Sequence, residues 1–139
     1  MDEDAMLARF GTRSTGSDLD EIRNILAAHT ALERRRQGAG DVLVMKLCCV
    51  HLFNGGEPSD TLLIWRAKKS SFDSDLGIDV QLLCGQGLAE TEVFLSSERS
   101  NDAARALEYL NQCKAAGDFN GFTVDDESEM WDAYYGLRE

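Results

Sequence analysis

The sequence predicts a mainly α-helical fold, built as a single compact domain of about six or seven short helices. Three observations support this class: the chain has 139 residues, hydrophobic residues make up 43% of it, and apolar side chains recur at helical spacing between capping residues and glycines. A chain of this length fits one domain and buries a core without disulfide bonds. Short helices joined by Gly-rich turns suggest stacked helical hairpins, although the sequence contains no internal repeat.

The N-terminal part is expected to differ from the rest of the chain. Residues 1–16 mix charges with glycine and serine and show no apolar period, so we predict a flexible N-terminus followed by a globular helical domain at residues 17–139. The first helix is predicted to begin at Ser17, because serine is a preferred N-cap and acidic residues follow it at the positive end of the helix. Its apolar stripe ends before Gly38, a natural helix stop.

Residues 42–53 are the most apolar segment and are therefore predicted to lie at the centre of the core. The length of this segment and its Leu, Met and Cys content favour a helix that ends at Asn54-Gly55-Gly56. Periodicity does not distinguish a buried helix from a buried strand. An α+β fold with strands near 42–53, 61–67 and 78–84 therefore stays open as the alternative.

Four later helices are predicted from caps and apolar spacing, at residues 60–70, 88–97, 101–116 and 124–135. Ser100 is the expected N-cap of the third of these helices, and Thr123 with Asp126 forms the expected capping pair of the fourth. Residues 70–74 are expected to be a polar connector without regular structure.

The charge of the chain points to the kind of partner it binds. Lys and Arg number 14 against 25 Asp and Glu, which gives a formal net charge of −11. Such a surface repels nucleic acid and anionic membranes and attracts a basic protein, so we expect a basic protein partner, no nucleic acid and no membrane. The only basic clusters are short and stand at predicted helix ends, where they complement the helix dipole: Arg34, Arg35 and Arg36, and Arg66 with Lys68 and Lys69.

The remaining composition suggests a soluble cytoplasmic protein. No apolar segment reaches the roughly 18 residues of a membrane span, and the opening Met1-Asp2-Glu3-Asp4 lacks the basic start and apolar run of a secretory leader. The four cysteines lie in apolar surroundings and are expected to be free thiols. The sequence does not determine an oligomeric state.

An alternative function is a metal-binding or thiol-based enzyme or sensor that uses Cys48, His51, Cys84 and Cys113. Cys48 and His51 are three residues apart and would share one face of a helix. Structural zinc sites usually show two close-spaced ligand pairs, whereas Cys84 and Cys113 are remote from each other and from the first pair. We therefore predict no metal site, no cofactor and no catalytic residue.

The acidic, aromatic C-terminal segment at residues 118–139 is the main functional feature. It contains seven acidic residues, one basic residue and five aromatic residues. Aromatic side chains provide buried contact area and carboxylates steer a basic partner, although the same aromatic residues would equally well pack the last helix onto the core. We predict a small, acidic, non-enzymatic protein–protein interaction module, for which an immunity or inhibitor protein is one concrete form. The predicted binding residues are Asp125, Asp126, Glu127, Glu129, Trp131, Asp132, Tyr134 and Tyr135.

Overall fold

The computed structural model describes residues 1–136, in which the chain forms α-helices, one 3₁₀ helix and no strand. The α-helices are α1 (Glu3–Phe10), α2 (Gly16–Arg35), α3 (Val42–Gly55), α4 (Asp60–Lys68), α5 (Phe72–Gly77), α6 (Leu88–Ser97), α7 (Asn101–Ala115) and α8 (Val124–Tyr134), and the 3₁₀ helix is Val80–Leu83. The prediction of a mainly α-helical single domain is confirmed. The last three residues of the predicted acidic segment, 137–139, lie outside the described residues.

The α+β alternative is wrong, because none of the three segments proposed as strands is one. Residues 42–53 and 61–67 lie within α3 and α4, and residues 78–84 contain the 3₁₀ helix. Capping groups at the two ends of α3 explain why this segment forms a helix. The Asp41 side chain accepts hydrogen bonds from the Leu43 and Val44 amides, and Gly56 ends the helix in the left-handed conformation, as helix caps commonly do.

Helix α3 is the centre of the fold, as predicted for residues 42–53. Every residue from Leu47 to Phe53 is buried, and α1, α2, α4, α5, α8 and the 3₁₀ helix all pack against this helix. A helix that is apolar all round is stable only when neighbours cover every side of it. Around this centre, α6 packs on α7, and α7 and α2 each pack on α4.

The N-terminal segment corrects the expectation of a flexible region at residues 1–16. The chain forms α1 there, with the Asp2 side chain as its N-cap and with Met6 and Phe10 buried. The segment is also held by side chains of α3: His51 Nε2 donates to the Gly11 carbonyl at 2.9 Å, and Asn54 donates to the Thr12 carbonyl at 2.9 Å. An eight-residue helix with two core residues shows too little periodicity for a sequence pattern to reveal it.

The start of one helix and the structure of one connector also differ from the predictions. Helix α2 begins at Gly16, with Thr15 rather than Ser17 in the N-cap position. Helix α5 lies where a polar connector was expected, because Ser71 and Ser74 form a reciprocal capping box that begins a helix. The predicted caps of the last two helices are confirmed by hydrogen bonds from the Ala103 amide to Ser100 and from the Asp126 amide to Thr123.

Candidate functional site

Helix α8 carries all but one of the predicted binding residues, and Tyr135 is its C-cap. The Thr123 cap and the acidic residues of the first turn stabilise the helix start, since carboxylates interact favourably with the positive end of the helix dipole. The structure divides the predicted residues into two groups. One group packs the helix against the rest of the chain, and the other faces solvent.

Trp131 belongs to the packing group. Its side chain is 3% exposed, and its indole Nε1 donates to Glu127 Oε2 at 2.8 Å. Lys46 of α3 lies over the ring, with Nζ 5.6 Å from the ring centroid. Tyr135 is half-buried beside Trp131, and its hydroxyl is buried without a hydrogen-bond partner in the described part of the chain. These aromatic side chains therefore attach α8 to the core.

Asp132 joins α8 to the N-terminal segment. Its carboxylate accepts from Thr12 Oγ1 at 2.8 Å and from Arg13 Nη2 at 3.0 Å. Arg13 also donates to Ser128 at 3.3 Å, and Ser128 in turn donates to Asn54 of α3. Asp132 is thus a structural link between residues that lie more than a hundred positions apart in the sequence, and it is not available to a partner in this arrangement.

The solvent-facing group forms a continuous surface, which we call the outer face of α8 and define as Asp125, Asp126, Glu129, Met130 and Tyr134. All five side chains are exposed, with Met130 at 43% and Tyr134 at 57%. Asp126, Met130 and Tyr134 are four residues apart and therefore lie along one line of the helix. The surface is acidic at its N-terminal end and apolar at its C-terminal end. Met130 was not among the residues predicted from the sequence, although its helical spacing from Tyr134 marks it as a neighbour.

A polar pocket of about 270 Å³ lies at the N-terminal end of this face. Three carboxylates line it, those of Asp118, Asp126 and Glu127, together with the amide side chains of Gln81 and Asn120. We call it the acidic pocket. Gln81 Nε2 donates to the Asp118 carbonyl at 2.8 Å, which positions the loop before α8 against the 3₁₀ helix.

Glu127 stands at the boundary between the packing group and the acidic pocket. Burial raises the pKa of its carboxyl group, the negative charge of Asp79 raises it further, and the hydrogen bond from Trp131 opposes the shift. A raised carboxyl pKa means that the surroundings disfavour the charged form. A cation placed in the acidic pocket would reverse this balance and stabilise the carboxylate.

The four residues of the metal or thiol alternative are all buried in the described structure. All four cysteines are buried and free, and burial raises the pKa of Cys48 and of Cys84 to about 12, so both thiols are protonated near neutral pH. Both ring nitrogens of His51 are engaged by Gly11 and Ser14, and burial lowers its pKa. Within residues 1–136, no group of three or more His, Cys, Asp or Glu side chains is placed to hold a metal ion.

Among residues 1–136, no helix has both the length and the apolar character that crossing a bilayer requires. Comparisons of the chain with models of protein families, with curated proteins and with solved structures found no match.

Proposed function

We propose that this protein is a small, acidic, non-enzymatic interaction module that binds a basic protein partner through the outer face of α8. The observation that carries the proposal is the combination on one helix face of exposed carboxylates with an exposed tyrosine and methionine. Tyrosine, methionine and other large side chains supply contact area at protein interfaces. The carboxylates select for a partner of opposite charge and raise the rate of encounter.

The acidic pocket supplies an anchoring point for that partner. Three acidic residues are among those that line a polar cavity of about 270 Å³, and a lysine or arginine side chain would form charge-assisted hydrogen bonds with carboxylates there. The same cation would offset the burial and the repulsion from Asp79 that raise the pKa of Glu127. Binding of a partner would therefore remove an electrostatic penalty that the free protein carries.

The overall charge extends this preference beyond the contact surface. A net charge of −11 produces a negative potential that attracts basic proteins over several ångströms and repels acidic ones. An immunity or inhibitor protein that binds a basic toxin in the cytoplasm is the concrete role that we favour. The protein is small and strongly acidic, and it offers one exposed helix face to a partner. These properties suit an inhibitor that covers a basic active site.

A capture experiment at low salt, with matched variants, tests the proposal. The wild-type chain is immobilised, lysate of the source cells is passed over it, and retained proteins are eluted with salt and identified by mass spectrometry. Asp125→Lys with Asp126→Lys reverses two charges on the outer face of α8. Glu98→Lys with Glu108→Lys makes the same change in net charge at two exposed positions away from α8, the residue that follows α6 and a residue of α7.

The expected result is one basic protein that the wild-type chain and the control variant retain and that the outer-face variant does not. Salt should release this protein, because exposed charge pairs are screened at high ionic strength. Equal retention by the two variants would show that the outer face of α8 is not the contact surface. Absence of a basic protein from the wild-type eluate would also contradict the proposal.

A further inference from the structure

Basic residues from three separate helices meet at one cleft on a side of the molecule that α8 does not line. The sequence analysis assigned Arg34, Arg66 and Lys69 to the ends of two helices, where they complement helix dipoles. The fold places these three side chains around a cleft of about 630 Å³, and Arg105 of α7 completes the set. Trp65 and Asp102 are the other lining residues. We call this the basic cleft.

Two of the four cations have carboxylate partners. Arg66 Nε donates to Asp102 Oδ2 at 2.9 Å, and the Lys69 ammonium group lies 3.2 Å from the carboxylate oxygens of Asp75. These contacts hold the two side chains in place at the cleft. The first contact also engages Asp102, the one acidic residue among the described residues that line the cleft.

The other two cations, Arg34 and Arg105, are exposed and make no hydrogen bond or ion pair with any residue in the range 1–136. Their guanidinium groups therefore keep all five donors available at the cleft. This arrangement is unusual in a chain with a net charge of −11, in which acidic partners for arginine are abundant. Four cations around one cavity repel each other, and a bound anion would relieve that repulsion.

A smaller pocket of about 220 Å³ adjoins the basic cleft and shares Arg34 and Arg66 with it. Thr30 lines this pocket; its side chain is only 8% exposed, and its hydroxyl has no hydrogen-bond partner among the residues described. A buried hydroxyl without a partner is unfavourable and rare. This oxygen is not accessible to solvent, so a ligand in the basic cleft does not contact it.

We propose that the basic cleft binds a small phosphate-bearing ligand, with the phosphate oxygens paired to the guanidinium groups of Arg34 and Arg105. The planar guanidinium fork matches phosphate geometry and forms strong charge-assisted hydrogen bonds with it. The cleft has the size of an ordinary ligand site, for which volumes of about 300–1,000 Å³ are typical. The ligand is small because the acidic surface beyond the cleft repels an extended polyanion such as nucleic acid.

Isothermal titration of the full chain with pyrophosphate, at low and constant ionic strength, tests the proposal. We expect saturable binding at one site. Arg34→Gln with Arg105→Gln should weaken binding by at least about tenfold, which corresponds to about 1.4 kcal/mol, because the substitutions remove the charge-assisted hydrogen bonds to the phosphate. Arg35→Gln with Arg99→Gln is the matched control, since it removes the same charge at exposed positions that do not line the cleft.

The control variant should bind pyrophosphate with an affinity within about twofold of the wild type. Thermal unfolding of both variants verifies that they remain folded, since all four substituted arginines are exposed. The proposal is overturned if the wild-type chain shows no saturable binding. It is also overturned if the Arg34 and Arg105 variant binds as tightly as the control. Neither outcome bears on the partner of α8, which is tested with different variants and a protein ligand.

Discussion

The substitution Trp131→Ala tests which residues of α8 attach the helix to the core and which face a partner. Trp131 and Tyr134 are three positions apart on the same helix, and sequence patterns treat them alike. The structure distinguishes them, because Trp131 is 3% exposed and Tyr134 is 57% exposed. We therefore expect Trp131→Ala to destabilise the fold and Tyr134→Ala to leave most of the stability intact.

The magnitude follows from the contacts of each side chain. Truncation of a buried tryptophan to alanine costs about 3–5 kcal/mol, and the loss of the Lys46 contact adds about 0.5–1 kcal/mol. Trp131→Phe keeps a six-membered aromatic ring but removes the pyrrole part of the indole and the hydrogen bond to Glu127, so we expect a loss of about 1–2 kcal/mol. Tyr134→Ala removes edge contacts to Trp131 and Tyr135 and the contact with Lys46, whose Nζ lies 5.3 Å from the ring centroid, and should cost about 1–2 kcal/mol.

Urea unfolding followed by far-ultraviolet circular dichroism measures these differences without depending on tryptophan fluorescence. The expected order of destabilisation is Trp131→Ala well above Trp131→Phe and Tyr134→Ala, with a gap of about 3 kcal/mol. If the free energies of unfolding of Trp131→Ala and Tyr134→Ala agree within about 1 kcal/mol, Trp131 does not anchor α8 and the assignment of its packing role is wrong.

Three further predictions concern buried groups elsewhere in the chain. Burial lowers the pKa of His51 from its usual 6.5, so the stability that its neutral ring contributes is complete above about pH 6.5 and is lost as the pH falls through the lowered value. The urea midpoint should therefore fall less steeply with acidification in His51→Gln than in the wild type. Equal slopes would refute this prediction. Glu33 accepts hydrogen bonds from the Gly38 and Gly40 amides and from the Ser71 hydroxyl. We therefore expect Glu33→Ala to lower the free energy of unfolding by about 3 kcal/mol in urea titrations. A loss below about 1 kcal/mol would contradict this prediction. A chromogenic disulfide reagent should modify the four cysteines rapidly only after unfolding, because all four are buried and their pKa values are raised. Rapid labelling of any one of them in the native protein would count against their buried placement.

Sequence patterns were sufficient for the helices whose determinants are local. Asp41, Ser100 and Thr123 each bond to amides two or three residues ahead, so the cap and its target are adjacent in the sequence. The apolar run at residues 42–53 predicted the central helix for a related reason, since only a segment surrounded by neighbours is apolar on every side. Helix α1 escaped detection because its contribution to the core is limited to Met6 and Phe10.

The candidate site was predictable only as a segment. Composition indicated that the acidic aromatic stretch was important, but acidic and aromatic residues suit an interface and a packed helix equally well. The choice between these roles was made by residues distant in sequence: Lys46 covers Trp131, and Thr12 and Arg13 occupy Asp132. These contacts leave Asp125 and Asp126 exposed, and Tyr134 stays 57% exposed although its ring also contacts Lys46.

The sequence alone determined the helical class, the central helix, the Ser100 and Thr123 caps and the acidic charge of this protein, because each depends on neighbouring residues or on composition. Tertiary structure decided which side chains share a surface. The basic residues illustrate this difference: Arg34, Arg66 and Arg105 belong to three helices and look like unrelated helix-end or surface charges in the sequence, and only the packing of α2, α4 and α7 places them around one cleft. Contacts between distant residues depend on how helices pack, and no local pattern records that packing.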